Sequence, residues 1–267
     1  MLSNADVKRL SELKDKEGRK EQRLFLIEGK RAVVESLTGG ADIRMLIVSS
    51  GASQRKLSDV YSLAEEKGIA IEDTPANKFT KLASTETSQG VIALAGLTEL
   101  SLDEFLSKVR PKRASIVLLL DKISDPGNLG TILRSAAWFG VDGVIVSAGS
   151  VDAYNPKVVR SAMGAICQVD VVQDVSLAGA ISGLSEIGFG VFASTQEAGL
   201  NYADYSYPKR VAGVFGSEAT GITPDVMGLC PTSVAVPRVG RMESLNVGVA
   251  ASIILSEIAR QKFDSGA

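Results

Sequence analysis

Short runs of consecutive apolar residues alternate with amphipathic stretches along nearly the whole chain, the pattern of strands covered by helices. At the start, a charged helical stretch from Ala5 to Gln22 leads to the strand Leu24–Ile27, which Glu28-Gly29 ends. A helix around Ala32–Leu37, a strand at Ile43–Val48 and a helix near Lys56–Lys67, closed by Gly68, come next. Strands at Ala70–Glu72 and Val91–Leu97 complete a small α/β unit. From Thr98 to Arg113 no strand pattern stands out, and the stretch reads as a linker. Beyond it, strands are predicted at Ser115–Leu120, Gly143–Ser147, Gln168–Val172, Phe189–Ala193, Val211–Phe215 and Ser233–Val236. Helices are predicted at Leu129–Phe139, Pro156–Ile166, Leu177–Ile187 and Pro224–Leu229, with a long closing helix from about Leu245 to Lys262. Such uniformly apolar strands imply a parallel sheet buried on both faces, and ligands of such sheets sit at the carboxyl ends of the strands. The expected organisation is therefore α/β throughout: a small domain over 1–97, a linker over 98–113 and a parallel-sheet domain over 114–267.

Composition narrows the chemistry. The 267 residues are 45% hydrophobic and 22% charged, an ordinary balance for a chain with a real core. The longest uncharged apolar run, Val247–Leu255, is far below the roughly 18–20 residues that span a bilayer. The region Asn4–Arg23 is charged and has no apolar core of a secretory signal, so a cytoplasmic protein without a membrane anchor is expected. There is no histidine, and the two cysteines, Cys167 and Cys230, have no metal-ligand spacing. No metal site is expected, and the usual neutral-pH general base is missing. An enzyme with these residues must rely on a reactive cofactor, on carboxylates or on positioning.

The net charge of −2 excludes bulk adhesion to nucleic acid but not a local patch. From Met1 to Arg31 nine Lys and Arg face six acids, an excess of three. Lys14, Lys16, Arg19, Lys20 and Arg23 lie in this run. It reads either as a solvated helix of mixed charge or as a face for nucleic acid.

Three stretches that follow strands carry candidate chemistry. The first, Asp121 to Arg134, contains Asp125-Pro126-Gly127-Asn128 and opens a helix. It is turn chemistry on its own, and it lacks the Gly-x-Gly-x-x-Gly spacing of a dinucleotide site. Helical periodicity puts Leu129, Ile132, Leu133 and Ala136 on one face, with Arg134 and the only tryptophan, Trp138, on the opposite one. The second stretch, Gly216-Ser217-Glu218-Ala219-Thr220-Gly221, has two glycines that let backbone approach a ligand. The third runs from Val236-Pro237-Arg238 to Ser244-Leu245-Asn246-Val247 and enters the closing helix, where Ser244 or Asn246 can serve as a cap. That helix is apolar almost all round from Val247 to Leu255, which predicts burial on every side.

Together, and in this order, the three stretches resemble the signature motifs of the SpoU (TrmH-type) family of RNA ribose 2′-O-methyltransferases. The resemblance rests on Asn128-x-Gly130-x-x-x-Arg134, Gly216-x-Glu218-x-x-Gly221, and Pro237 followed by Ser244-Leu245-Asn246-Val247. Arg160-Ser161-x-x-Gly164-Ala165 also looks like a family element, and Phe25-Leu26-Ile27-Glu28-Gly29 is similar to part of the family's small substrate-binding domain. Arg238 departs from the pattern, since an apolar residue commonly follows the proline.

The resemblance implies a catalytic domain with a deep trefoil knot, acting as a homodimer. It implies S-adenosylmethionine held by backbone groups near Thr195, Gly216, Val236 and Leu245. Arg134 would orient ribose or phosphate and stabilise alkoxide charge, since a guanidinium group is a poor general base. Asn128, Glu218, Ser244 and Asn246 would position the sugar, and Arg160 would join the basic run in binding RNA. Large-subunit ribosomal RNA is the preferred substrate over tRNA. The competing readings are a catalytically silent RNA-binding protein that keeps the fold and a nicotinamide-dependent dehydrogenase.

Overall fold

The structure is a computed structural model that describes residues 1–264. The chain forms two compact units. One comprises Met1–Thr98 together with Asp152–Gln168, the other Glu99–Val151 together with the chain from Val169 onward.

The smaller unit contains α1 (Asn4–Ser11), α2 (Lys16–Gln22), β1 (Leu24–Glu28), α3 (Lys30–Thr38), β2 (Ile43–Ser49), α4 (Ser58–Glu66), β3 (Ile71–Thr74), α5 (Ala76–Leu82) and β4 (Val91–Gly96). Its sheet has the order β1-β4-β2-β3. β4 is antiparallel to both neighbours, and β2 and β3 run parallel. The continuous helix expected over Ala5–Gln22 is broken by a 3₁₀ turn at Glu12–Lys14. The chain doubles back so tightly that a Cβ on Gly18 would lie 2.2 Å from the Glu12 carbonyl oxygen. Arg19 donates from Nη1 to the carbonyls of Leu13 and Lys14 at 2.9 and 2.8 Å, which fixes the reversal.

The larger unit contains α6 (Leu102–Val109), β5 (Ser115–Asp121), α7 (Pro126–Trp138) and β6 (Gly143–Ser147). After the excursion through α8 (Pro156–Ala162), it continues with β7 (Asp170–Val175), α9 (Leu177–Glu186), β8 (Gly190–Ser194), β9 (Arg210–Gly216), α10 (Pro224–Met227), β10 (Thr232–Val234) and α11 (Val247–Asp264). All six strands are parallel in the order β10-β8-β9-β5-β6-β7. Every residue of β5 and β6 is buried, as a sheet covered on both faces requires.

Two features differ from the division into 1–97, 98–113 and 114–267. The stretch 98–113 carries α6, whose N-cap Ser101 and Glu104 form a capping box. Its Phe105 and Val109 lie in the core of the larger unit beside Val117, Leu119 and Leu177. A Cβ on Gly143 would sit 2.3 Å from the Phe105 ring, so that strand position is left bare for the ring. The second difference is that Asp152–Gln168 belongs with the smaller unit. Tyr154 packs on Phe25 with ring centroids 4.9 Å apart and donates to the Thr98 carbonyl at 3.2 Å.

The closing helix is not buried on every side. Val247, Ala251, Ile254, Leu255 and Ile258 are buried, whereas Val249 is 43% exposed and Ser256 is exposed. Among the described residues, no helix is long and apolar enough to cross a membrane.

Candidate functional site

The loops that leave β8, β9 and β10 converge with the entry to α11 around a cavity of about 380 Å³. Thr195 follows β8, Gly216 ends β9, Val236 follows β10 and Leu245 precedes α11, and all four line the cavity. Glu218 and Ser244 lie on the same wall. The size falls within the range of roughly 300–1,000 Å³ typical of small-molecule sites.

The loop after β9 is shaped by its own backbone. Gly221 has φ +66° and donates its N–H to the Ser217 carbonyl at 2.8 Å, folding the loop back on the end of β9. A Cβ on Gly216 would therefore lie 2.2 Å from the carbonyl carbon of Gly221. Glycine is required here by the protein's own packing. Asp121, only 2% exposed at the end of β5, anchors the same loop. Its Oδ2 accepts from the Thr223 N–H at 2.7 Å and the Thr223 hydroxyl at 2.8 Å, while its carbonyl accepts from the Ser217 N–H at 3.0 Å. Sequence reasoning missed this role. The signal was an acid terminating the apolar run Ile116–Leu120.

Asn128, Glu218 and Asn246 come together across three elements. Asp125 caps α7 by accepting from the Asn128 N–H at 2.8 Å, which fixes Asn128 in the first turn. The Asn128 Nδ2 donates to Glu218 Oε1, and its Oδ1 accepts from Asn246 Nδ2 at 2.8 Å. Asn246 Oδ1 in turn accepts from the N–H groups of Gly248 and Val249 at 3.0 and 3.2 Å, capping α11. Small residues let α7 and α11 meet closely: a Cβ on Gly248 would lie 3.0 Å from Thr131, and the hydroxyls of Ser135 and Ser252 are 2.6 Å apart.

Arg134 lies outside this network. It is exposed on the outer face of α7, as the periodicity predicts, and Trp138 one turn later is 84% exposed. Six residues of helix at about 1.5 Å each put it about 9 Å along the axis from Asn128. Neither cysteine offers a nucleophile. Burial pushes the Cys230 thiol up to about 11 and raises that of Cys167 as well.

The basic run of the smaller unit divides in two. Arg19 is 3% exposed and forms an ion pair with Asp152, so it cannot face RNA. Lys14 donates to the carbonyls of Lys81 and Ala83 at 2.7 and 2.8 Å. Lys16 is half-buried, whereas Lys20 and Arg23 are exposed. Arg160 sits at the edge of a separate, smaller cavity in this unit.

Comparison with known proteins gives a consistent picture. Residues 115–256 match the SpoU rRNA Methylase family, and residues 4–93 match the MRM3-like substrate binding domain. A Staphylococcus haemolyticus protein assigned provisionally to the TrmH family of tRNA/rRNA methyltransferases is 33% identical over 91% of this chain and 98% of its own length. The crystal structure of an RNA 2′-O ribose methyltransferase is 30% identical and superimposes with a TM-score of 0.82, covering 98% of this chain and 97% of its own. An AdoMet-bound rRNA methyltransferase from Sinorhizobium meliloti is 25% identical with a TM-score of 0.81, covering 98% and 96%.

Proposed function

Because the chain belongs to the SpoU rRNA methylase family, we propose that it transfers a methyl group from S-adenosylmethionine to a ribose 2′-hydroxyl of RNA. Large-subunit ribosomal RNA is the preferred substrate and tRNA the alternative. The observation that carries the reading is the chain of hydrogen bonds from Glu218 through Asn128 to Asn246 beside the cavity lined by Thr195, Gly216, Val236 and Leu245. The similarity over nearly the full chain to an rRNA methyltransferase with AdoMet bound supports the cofactor and the substrate preference.

The cavity suits the cofactor. Most of its lining residues are small or apolar, and the bare Gly216 lets the 221–222 backbone fold against the strand end to form one side of it. S-adenosylmethionine supplies an activated methyl group, so no side chain has to carry one. The chain's own task would be to hold the 2′-hydroxyl facing the methyl group of the bound cofactor. The Asn128 and Asn246 amides and the Glu218 carboxylate are locked by one another, so they orient the ribose without reorganising. Ser244 adds a hydroxyl on the cavity wall. Arg134, exposed on the outer face of α7 and not part of the cavity lining, would meet ribose or phosphate of the bound RNA and stabilise negative charge on the hydroxyl oxygen, whose proton would pass to solvent water.

The family's trefoil knot is part of this reading, since the loops that line the cavity are those it would draw together. So is a homodimer. The uncovered side of α11 around Val249 and Ile253, which borders a surface recess of about 450 Å³ with Tyr202, supports it. We assign the protein to the cytoplasm as part of the same reading.

The test is mapping of ribose methylation in RNA from cells with and without the gene, with methyl incorporation by the purified chain into rRNA and tRNA side by side. Loss of one rRNA methylation in the mutant cells is expected. A lost tRNA methylation instead would transfer the substrate to tRNA, and no lost methylation with no incorporation would overturn the activity. Arg134→Ala is expected to cost about 10²–10³-fold in turnover at unchanged cofactor affinity. Near-normal turnover would remove Arg134 from the reaction.

A further inference from the structure

Two stretches far apart in the sequence, Phe25–Gly29 and Arg160–Ala165, meet in the smaller unit. Around their junction lies a cavity of about 140 Å³ lined by Glu28, Gly29, Arg31, Thr87, Gln89 and Arg160. The meeting is close because Gly164, at φ +92°, has no side chain. A Cβ there would fall 2.7 Å from that of Glu35 and 3.0 Å from the Ala32 carbonyl oxygen. The end of α8 thus rests directly on α3, and Arg160 is fixed beside the cavity that Arg31 borders.

The charges around this cavity are unequal in their freedom. Both oxygens of Glu28 accept hydrogen bonds within the protein, one from the Ser84 N–H at 2.6 Å and one from the Thr85 hydroxyl. Its charge is used to hold the loop 84–90. Lys30 pairs with Asp59 at 2.9 Å. Gln89 accepts from the Lys30 N–H at 2.7 Å, which orients its amide and leaves the NH₂ to donate. No ion pair among the described residues takes up Arg31 or Arg160. Arg31 is exposed and Arg160 half-buried.

Two guanidinium groups without ion-pair partners among the described residues, Arg31 and Arg160, border one small cavity together with Thr87, Gln89 and the apolar Ala32 and Met163, and guanidinium is the group that binds phosphate bidentately. The volume is too small for a folded partner. We propose that this cavity clamps one phosphodiester of the bound RNA, with Arg31 and Arg160 on its non-bridging oxygens and the Gln89 amide and Thr87 hydroxyl on the adjoining ribose. The proposal rests on the reading of the chain as an RNA methyltransferase and gives the smaller unit a defined contact. Such a contact fixes register and carries no base sequence.

The test compares the full chain with Arg31→Gln/Arg160→Gln and with Arg160→Lys. Binding to transcripts of large-subunit rRNA and to bulk tRNA is measured from 50 to 200 mM salt. The double variant is expected to bind the methylated RNA roughly tenfold more weakly, with a log–log salt slope smaller by about 0.7–0.9 for the one phosphate no longer neutralised. Its KM for RNA rises while kcat at saturation, S-adenosylmethionine affinity and melting temperature stay unchanged. Arg160→Lys keeps the charge without the fork, so it retains the slope and loses part of the affinity. Unchanged RNA affinity and slope in the double variant overturn the clamp. Salt-dependent binding by the unaltered chain with no methyl incorporation overturns the methyl-transfer reading and leaves the clamp standing. No RNA binding at all overturns both.

Discussion

The cavity wall of the larger unit and the cationic run 14–23 of the smaller one are built from opposite materials. The wall's strand-end loop depends on backbone: Gly216 and Gly221 let the loop after β9 close on itself, and a single buried carboxylate, Asp121, ties it down. The run is made of charged side chains, and at least two of its five cations, Arg19 and Lys14, are occupied in holding the chain. Arg19 braces the reversal between α1 and α2 and pairs with Asp152, 133 residues away, while Lys14 closes over the carbonyls after α5. Glycines at a strand end have few uses, and so they mark a site. A cation serves an internal carboxylate as readily as an external phosphate, and charge density alone does not separate the two.

The sharpest way to break this comparison is Arg19→Ala. Removal of one partner leaves Asp152 as an uncompensated buried charge, which typically costs about 3–5 kcal/mol. Urea unfolding of Arg19→Ala is expected to show that loss, and Arg19→Met/Asp152→Leu should recover the part due to the unpaired carboxylate but not the two hydrogen bonds to the Leu13 and Lys14 carbonyls. A variant that folds normally but loses RNA would return Arg19 to the RNA-binding face.

Gly216→Ala probes the opposite material. A single methyl already collides with the 221–222 backbone, so the loop must open. S-adenosylmethionine affinity is expected to fall at least about 100-fold, or roughly 2.7 kcal/mol, in a variant with native circular dichroism. Calorimetry decides it. Unchanged affinity would mean that the loop after β9 is not the cofactor wall. Asp121→Asn is milder. The amide keeps one acceptor for Thr223 but loses the charge, and hydrogen bonds to charged groups are worth about 1.5–3 kcal/mol. About a tenfold weaker binding is expected by the same calorimetry, with no change in the RNA salt slope.

These contrasts explain what the sequence disclosed. β5 and β9 were legible because burial on both faces leaves continuous apolar runs, and the parallel sheet followed from them. The three stretches stood out only together, through their resemblance to a family's motifs, and the structure brings Gly216 and Gly221 to one cavity and Asn128 to Glu218 and Asn246 beside it. α5, seven residues long, is too short to display a period. α6 was missed although Ser101-Leu102-Asp103-Glu104 spells a capping box, because the polar stretch after it masks so short a helix. The allegiance of Asp152–Gln168 was illegible for a deeper reason. It is set by pairings such as Arg19 with Asp152 and Tyr154 on Phe25, which no local pattern encodes.

The finest test concerns the two cations of the run that remain exposed, Lys20 and Arg23. If the run meets RNA at all, it does so through them. Surface substitutions away from special features change stability by no more than about 0.5 kcal/mol, so Lys20→Ala/Arg23→Ala should fold as the unaltered chain does. RNA affinity should fall modestly. If each cation neutralises a phosphate, the slope of log affinity against log salt should shrink by about 0.7–0.9 for each cation removed. Filter binding between 50 and 200 mM salt reads both quantities. A shrunken slope keeps the run in the RNA face with a smaller membership than its charge suggests. An unchanged slope makes all of it scaffold, and the smaller unit would then hold RNA through Arg31 and Arg160 alone.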